Sequence, residues 1–364
     1  MSLLERCKSL FEHARQGTTH LPTRVAVPAD HVDNPVRLGS ALVPNQSYFQ
    51  VRVNEMFLSH SRDWFAKYDP LVFVGSEFIY DKEETALPFV LGPSLLERFG
   101  KGQDSPAGMV FEDTRVAGLH PYRGGRLAIT VILYRIQRAN YAREILKLMD
   151  ATVGALDFST AVATYTKIAG VALDGVEALL GLGTADALVG YRRELDPDAG
   201  DDMGGGYFAL IDAPEDQFQP ERLWVRKGRL VEGTRNDDTA KPFRSADYLL
   251  YSLASTPART DERKLPFFPL WQRVEQEAAV PTKDGWESAK GNMLSLYQTL
   301  MLSPDLTKSQ ADRFVDEYAA AMKDRHERAI KLSSLGDREL RDDAEPRPAV
   351  TDGVRQQSIG ILAM

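Results

Sequence analysis

The chain of 364 residues is 43% hydrophobic and 26% charged, enough apolar surface to offset the conformational entropy of folding. Its 44 basic and 52 acidic residues leave a net charge of −8, so neither nucleic-acid phosphates nor anionic lipid is an expected partner. The single cysteine, Cys7, permits neither an internal disulfide nor a thiolate zinc cage, which fits a reducing, cytoplasmic setting.

Ser2 and Glu5 match a capping box, and Leu3, Leu4, Cys7, Leu10, Phe11 and Ala14 then recur at threes and fours, predicting an amphipathic first helix. Glu5, Arg6, Lys8 and Glu12 interrupt the apolar core that a secretion signal needs. From about residue 23 to 137 the period is two. Phe49, Val51 and Val53 alternate with Gln50, Arg52 and Asn54 as in a half-buried strand, and 71–80 and 107–118 read as further strands. LAITVILYRI (127–136) is apolar on both faces, so both must be covered. Gly124 and Gly125 in the preceding PYRGG can take positive φ, which predicts a hairpin with the strand before it.

Residues 139–182 read as two helices, the second with Val162, Tyr165, Ala169, Ala172, Val176 and Leu179 stepping by three and four. Its charges Lys167, Asp174 and Glu177 argue against stable membrane insertion and for burial in a core. Strand signals return at 188–195, 207–212, 223–233 (with a Lys227-Gly228 turn) and 247–254. Helical spacing follows in Leu270, Trp271 and Val274, then in Trp286, Ala289, Met293, Leu296 and Leu300. A last helix opens on a Thr307/Gln310 capping box, carries Phe314, Tyr318 and Met322 on one face, and is predicted to stop at Gly336.

The expected fold is therefore α+β. A mainly antiparallel sheet or sandwich core spans 1–255, with the N-terminal helix and an inserted helical pair at about 139–183. A C-terminal helical unit spans 256–336, and 337–364 reads as a flexible tail ending in apolar Ile359, Ile361, Leu362 and Met364.

Motifs for chemistry are sparse. The six histidines, His13, His20, His31, His60, His120 and His326, show no metal-ligand spacing, and no nucleophile elbow is present. His120, Asp113 and Arg123 are the candidate catalytic residues, His120 and Arg123 lying in a β-turn where side chains can project into a cleft. Asp196, Asp198, Asp201 and Asp202 in DPDAGDDMGGG bring together oxygen ligands suited to Ca²⁺. As an EF-hand, however, the loop has Asp201 where glycine is required and Tyr207 where the bidentate Glu belongs. Phe267, Phe268 and Trp271 in LPFFPLW serve either as core anchors or as an exposed interaction patch.

No cofactor is expected. The reading that follows is a non-enzymatic protein-binding, scaffold or assembly component of the cytoplasm, with a protein partner or a second copy of the chain. Two alternatives stand beside it: a hydrolase with a site near His120, and a membrane-active or proteolytically switched effector that releases the small-residue helix from 160 to 182 or the tail.

Overall fold

Ser2 caps the first helix as its sequence predicts. Its hydroxyl accepts the Glu5 N–H at 3.2 Å, and the Glu5 carboxylate accepts the Ser2 N–H at 2.7 Å. This helix, α1 (Leu3–Gly17), buries Cys7, Leu10 and Ala14. The computed structural model describes residues 1–17, 22–58, 68–80, 82–92, 109–110, 119–154, 161–234 and 240–342. The chain divides into two compact units, Met1–Pro266 with Ser303–Ala311, and Phe267–Leu302 with the residues from Asp312 onward.

The first unit is built on two antiparallel sheets. One has the order β1 (Thr23–Val27), β9 (Gly206–Ile211), β13 (Tyr248–Thr256), β2 (Tyr48–Phe57), β5 (Met109–Val110), with β6 (His120–Pro121) also paired to β2. The other has the order β4 (Glu83–Leu91), β3 (Tyr68–Tyr80), β7 (Leu127–Gln137), β8 (Ala185–Leu195). Phe49 of the first sheet packs on Phe78 of the second at 5.1 Å, and Val51, Val53 and Tyr251 belong to the same apolar core as Phe78 and Val131, as in a sandwich. Each of these sheets contains strands from both before and after the helical pair, so that pair is an insertion into one sheet system.

The inserted helices α2 (Asn140–Gly154) and α3 (Val162–Gly181) pack with α1 on the second sheet, covering β7 and its neighbours as LAITVILYRI requires. Gly175 of α3 lets the two helices approach, since a Cβ there would stand 2.2 Å from the Met149 sulfur. Asp174 and Glu177 of α3 both accept hydrogen bonds from Arg6 of α1, at 2.7 and 2.8 Å.

Two local expectations are corrected. β2 is buried on both faces rather than one, including Gln50, Asn54 and Glu55, because a second apolar cluster covers the outer face of its sheet. That cluster holds Leu223, Val225 and Leu230 of a small third sheet, β10 (Leu223–Arg226), β11 (Arg229–Glu232), β12 (Lys241–Pro242), whose first turn uses Lys227 and Gly228 at positive φ as predicted. The carboxylate of Glu55 is matched there, accepting the Leu230 N–H at 2.8 Å and Arg244 Nη2 at 3.2 Å.

The second correction concerns the glycine turn. β7 does not form a hairpin with the strand before it: β6 lies on β2 of one sheet, while β7 pairs with β3 and β8 of the other. A strand apolar on both faces gains most at the centre of a covered sheet, so Gly124 (φ 97°) and Gly125 (φ 73°) carry the chain between sheets. A Cβ on Gly125 would stand 2.6 Å from Ile79 Cδ1. Gly125→Ala is expected to cost about 1 to 3 kcal/mol in urea unfolding, from the positive φ and the displaced isoleucine.

Ser303–Ala311 belongs to the first unit through hydrogen bonds. Arg123 Nη2 donates to the carbonyls of Ser303 and Leu306, both at 2.9 Å, the Tyr48 hydroxyl accepts the Thr307 N–H at 2.9 Å, and Asp305 accepts the Val162 N–H at 2.7 Å.

The second unit is helical, with α4 (Phe268–Ala278), α5 (Lys283–Leu302) and α6 (Lys308–Asp342), whose first turn lies in the first unit. The stop predicted at Gly336 is corrected, since α6 continues to Asp342. One internal glycine costs about 1 kcal/mol of helix propensity, and the following Arg338, Glu339, Leu340 and Arg341 are strong helix formers. The apolar chain end from Ile359 to Met364 lies outside the described residues.

Candidate functional site

His120 does not reach a cleft. Pairing of β6 with β2 turns its ring into the sandwich, 1% exposed, stacked on Phe78 at 4.9 Å and tilted against Phe49 at 5.3 Å. Burial above all, with the charge of Arg259 second, pushes its pKa down to about 3, so the ring is neutral at physiological pH. Its turn neighbour Arg123 is committed to the Ser303 and Leu306 carbonyls. Asp113 and the adjacent Glu112 lie outside the described residues, as do His20 and His60. His31 and His326 stack on Trp224 and Trp286, and the Nδ1 of each hydrogen-bonds a backbone carbonyl.

Three carboxylates of the acidic loop bind its own backbone. Asp196 accepts the Asp198 N–H at 3.0 Å, Asp201 accepts the Asp196 N–H at 2.8 Å, and Asp202 accepts the Gly204 N–H at 2.8 Å. Among the described residues no group of three His, Cys, Asp or Glu side chains is placed to hold a metal ion. The glycine run after it serves close approach, because a Cβ on Gly205 would stand 2.6 Å from the Leu38 carbonyl oxygen and 2.9 Å from that of Leu253.

Phe267 and Trp271, one half of the alternative set by LPFFPLW, are core anchors of the helical unit. Trp271 stacks on Tyr318 at 4.2 Å and Phe267 lies 5.8 Å from Phe314, while Phe268 is half-buried. Burial between α4 and α6 thus takes up Phe267 and Trp271, and Phe268 keeps part of its surface exposed.

No family model, curated protein or solved structure matches this chain.

One exposed apolar surface of the helical unit lies on α5. Gly285, Ala289, Met293, Leu296 and Leu300 form its buried stripe. Leu294 (60% exposed) and Tyr297 (44%) sit on a neighbouring face with half-buried Met301, stepping by three and four, and Leu302 (79%) ends the helix. The last twelve residues of α5, GNMLSLYQTLML, contain no charged side chain. Sequence reasoning read only one stripe on this helix, although the lack of charge over three turns was the available signal for a second. Ile330, Leu332 and Leu335 are exposed farther along α6.

Proposed function

We propose that this chain is a non-enzymatic protein-binding and assembly component of the cytoplasm that pairs with a second copy of itself through the outward face of α5. The observation that carries the reading is the uncharged, exposed stretch with Leu294, Tyr297 and Leu302. Interface cores are depleted of charge and enriched in aromatic residues, and exposed contiguous apolar surface marks a partner site. A second copy is the favoured occupant because a symmetric pair buries the same patch twice. The sealed, neutral His120 supports contact over hydrolysis, and the single buried, free cysteine suits a reducing compartment. Among the described residues no helix is long and apolar enough to cross a membrane, and Arg6 holds both acidic residues of α3, which weighs against release of that helix.

Light scattering coupled to gel filtration tests the proposal. The wild-type chain should run as a dimer, and Leu294→Asp or Tyr297→Asp should shift it to monomer by at least tenfold in dissociation constant. Both side chains are exposed, so melting temperature should hold. A wild-type monomer at every soluble concentration, or a dimer indifferent to both substitutions, would reject the reading.

A further inference from the structure

Several arginines of the first unit have a carboxylate at hand. Arg6 meets Glu177, Arg138 meets Asp69, Arg192 meets Glu77, Arg244 meets Glu55 and Arg259 meets Asp261, all within 3.2 Å. The half-buried Arg24 and Arg193 differ from these. Arg24 sits on β1, the edge strand of one sheet, and Arg193 on β8, the edge strand of the other. Among the described residues neither forms an ion pair, and Arg24 Nε and Arg193 Nη1 are buried with no hydrogen-bond partner. Both guanidinium groups lie over the same ring, that of Phe208 on β9, at 4.9 and 4.5 Å from its centroid, and Arg24 also lies 5.6 Å from the Tyr191 ring. Tyr251, whose ring is 5.3 Å from Phe208, completes the surround.

From this geometry we infer that the edge of the sandwich between β1 and β8 is a binding site for an oxyanion, a phosphate or carboxylate group on a small molecule, held by Arg24 and Arg193 across Phe208. Two cations on one aromatic ring repel each other, and each loses water without gaining a countercharge. Burial, then the charge of Arg24, holds the pKa of Arg193 below its ordinary value. Asp201 is the carboxylate whose charge acts on Arg193, yet its Oδ2 already accepts the Asp196 N–H. A planar guanidinium presents paired donors that match an oxyanion, so one ligand group bridging both arginines would supply the missing countercharge and cancel the repulsion. The neighbouring Arg192 shows the contrast: one residue away, it points to the other face of β8 and forks onto Glu77 at 2.9 and 3.0 Å.

Thermal unfolding of the full chain in graded inorganic phosphate and in graded citrate, each against chloride of equal ionic strength, provides the test. A saturable rise in melting temperature is expected, in phosphate if the ligand carries a phosphoryl group and in citrate if it carries carboxylates. Arg24→Gln and Arg193→Gln should each raise the half-saturating concentration at least tenfold. In low-salt chloride both variants should melt no lower than wild type, since each removes a repulsion. Arg24→Lys and Arg193→Lys, which keep the charge and lose the fork, serve as second variants should a glutamine prevent folding, and they should also weaken binding. No saturable rise with either anion, or a rise that the variants retain, would overturn the inference.

Discussion

Replacing Arg259 with alanine is expected to lower the unfolding free energy by about 3 to 5 kcal/mol, the cost of breaking a buried ion pair from one side. Arg259 is among the largest fully buried side chains of the protein. Its guanidinium forks onto Asp261 at 2.6 and 2.8 Å and donates to the Asp305 carbonyl at 3.1 Å. Burial works against its charge, and the Asp261 carboxylate more than offsets this, leaving the pKa above its ordinary value. The backbone of Arg259 adds a reciprocal pair with the Gln310 amide, at 3.0 and 2.7 Å. Alanine would strand Asp261 and the Asp305 carbonyl while emptying the volume of a whole side chain. Urea unfolding followed by tryptophan fluorescence would measure the loss, and Arg259→Lys should fall between, since one ammonium cannot make the fork. A loss below about 1 kcal/mol would contradict the stated role of this network.

The second large effect is a pH dependence carried by His120. Its folded pKa of about 3 lies below the usual 6.5 because the ring is sealed among Phe49 and Phe78. Below pH 6.5 the unfolded chain takes up a proton that the folded chain refuses. The stability contribution is therefore complete above pH 6.5 and is lost progressively as pH falls toward 3. At pH 5 the loss attributable to this residue is about 2 kcal/mol. His120→Leu should flatten the curve, so that the difference between wild type and variant changes by about that amount between pH 7 and pH 5. Parallel curves for the two proteins would show that the ring is not held neutral by burial.

The same residue marks the limit of local reading. A histidine in LHPYRGG looks like a turn residue free to project, because sequence shows the Gly124-Gly125 turn but not which strand will accept His120 as a partner. Pairing with β2 at Phe49 decides that its ring faces inward. The capping box at Thr307 shows the same limit: the Gln310 N–H does reach the Thr307 hydroxyl at 3.3 Å, but the Gln310 side chain is taken by Arg259, 51 residues earlier in the chain. Asp196, Asp198, Asp201 and Asp202 were legible as a cluster, but only the folded loop shows that the carboxylates of Asp196, Asp201 and Asp202 turn to its own amides.

Periodicity and capping chemistry, which act over a few residues, determined by themselves that this chain combines strands and helices, that LAITVILYRI is covered on both sides, that the 139–182 helices supply part of that cover and that a helical unit follows the last strand. Tertiary structure alone decided which strands share a sheet, that Ser303–Ala311 joins the first unit, that Phe267 and Trp271 are consumed inside the second, and that Arg24 and Arg193 meet over Phe208. Hydrogen bonds within a helix turn or a tight loop are encoded by neighbours and can be read from them. Pairing between residues about 180 to 260 positions apart depends on the summed burial of the whole chain, which no short window contains.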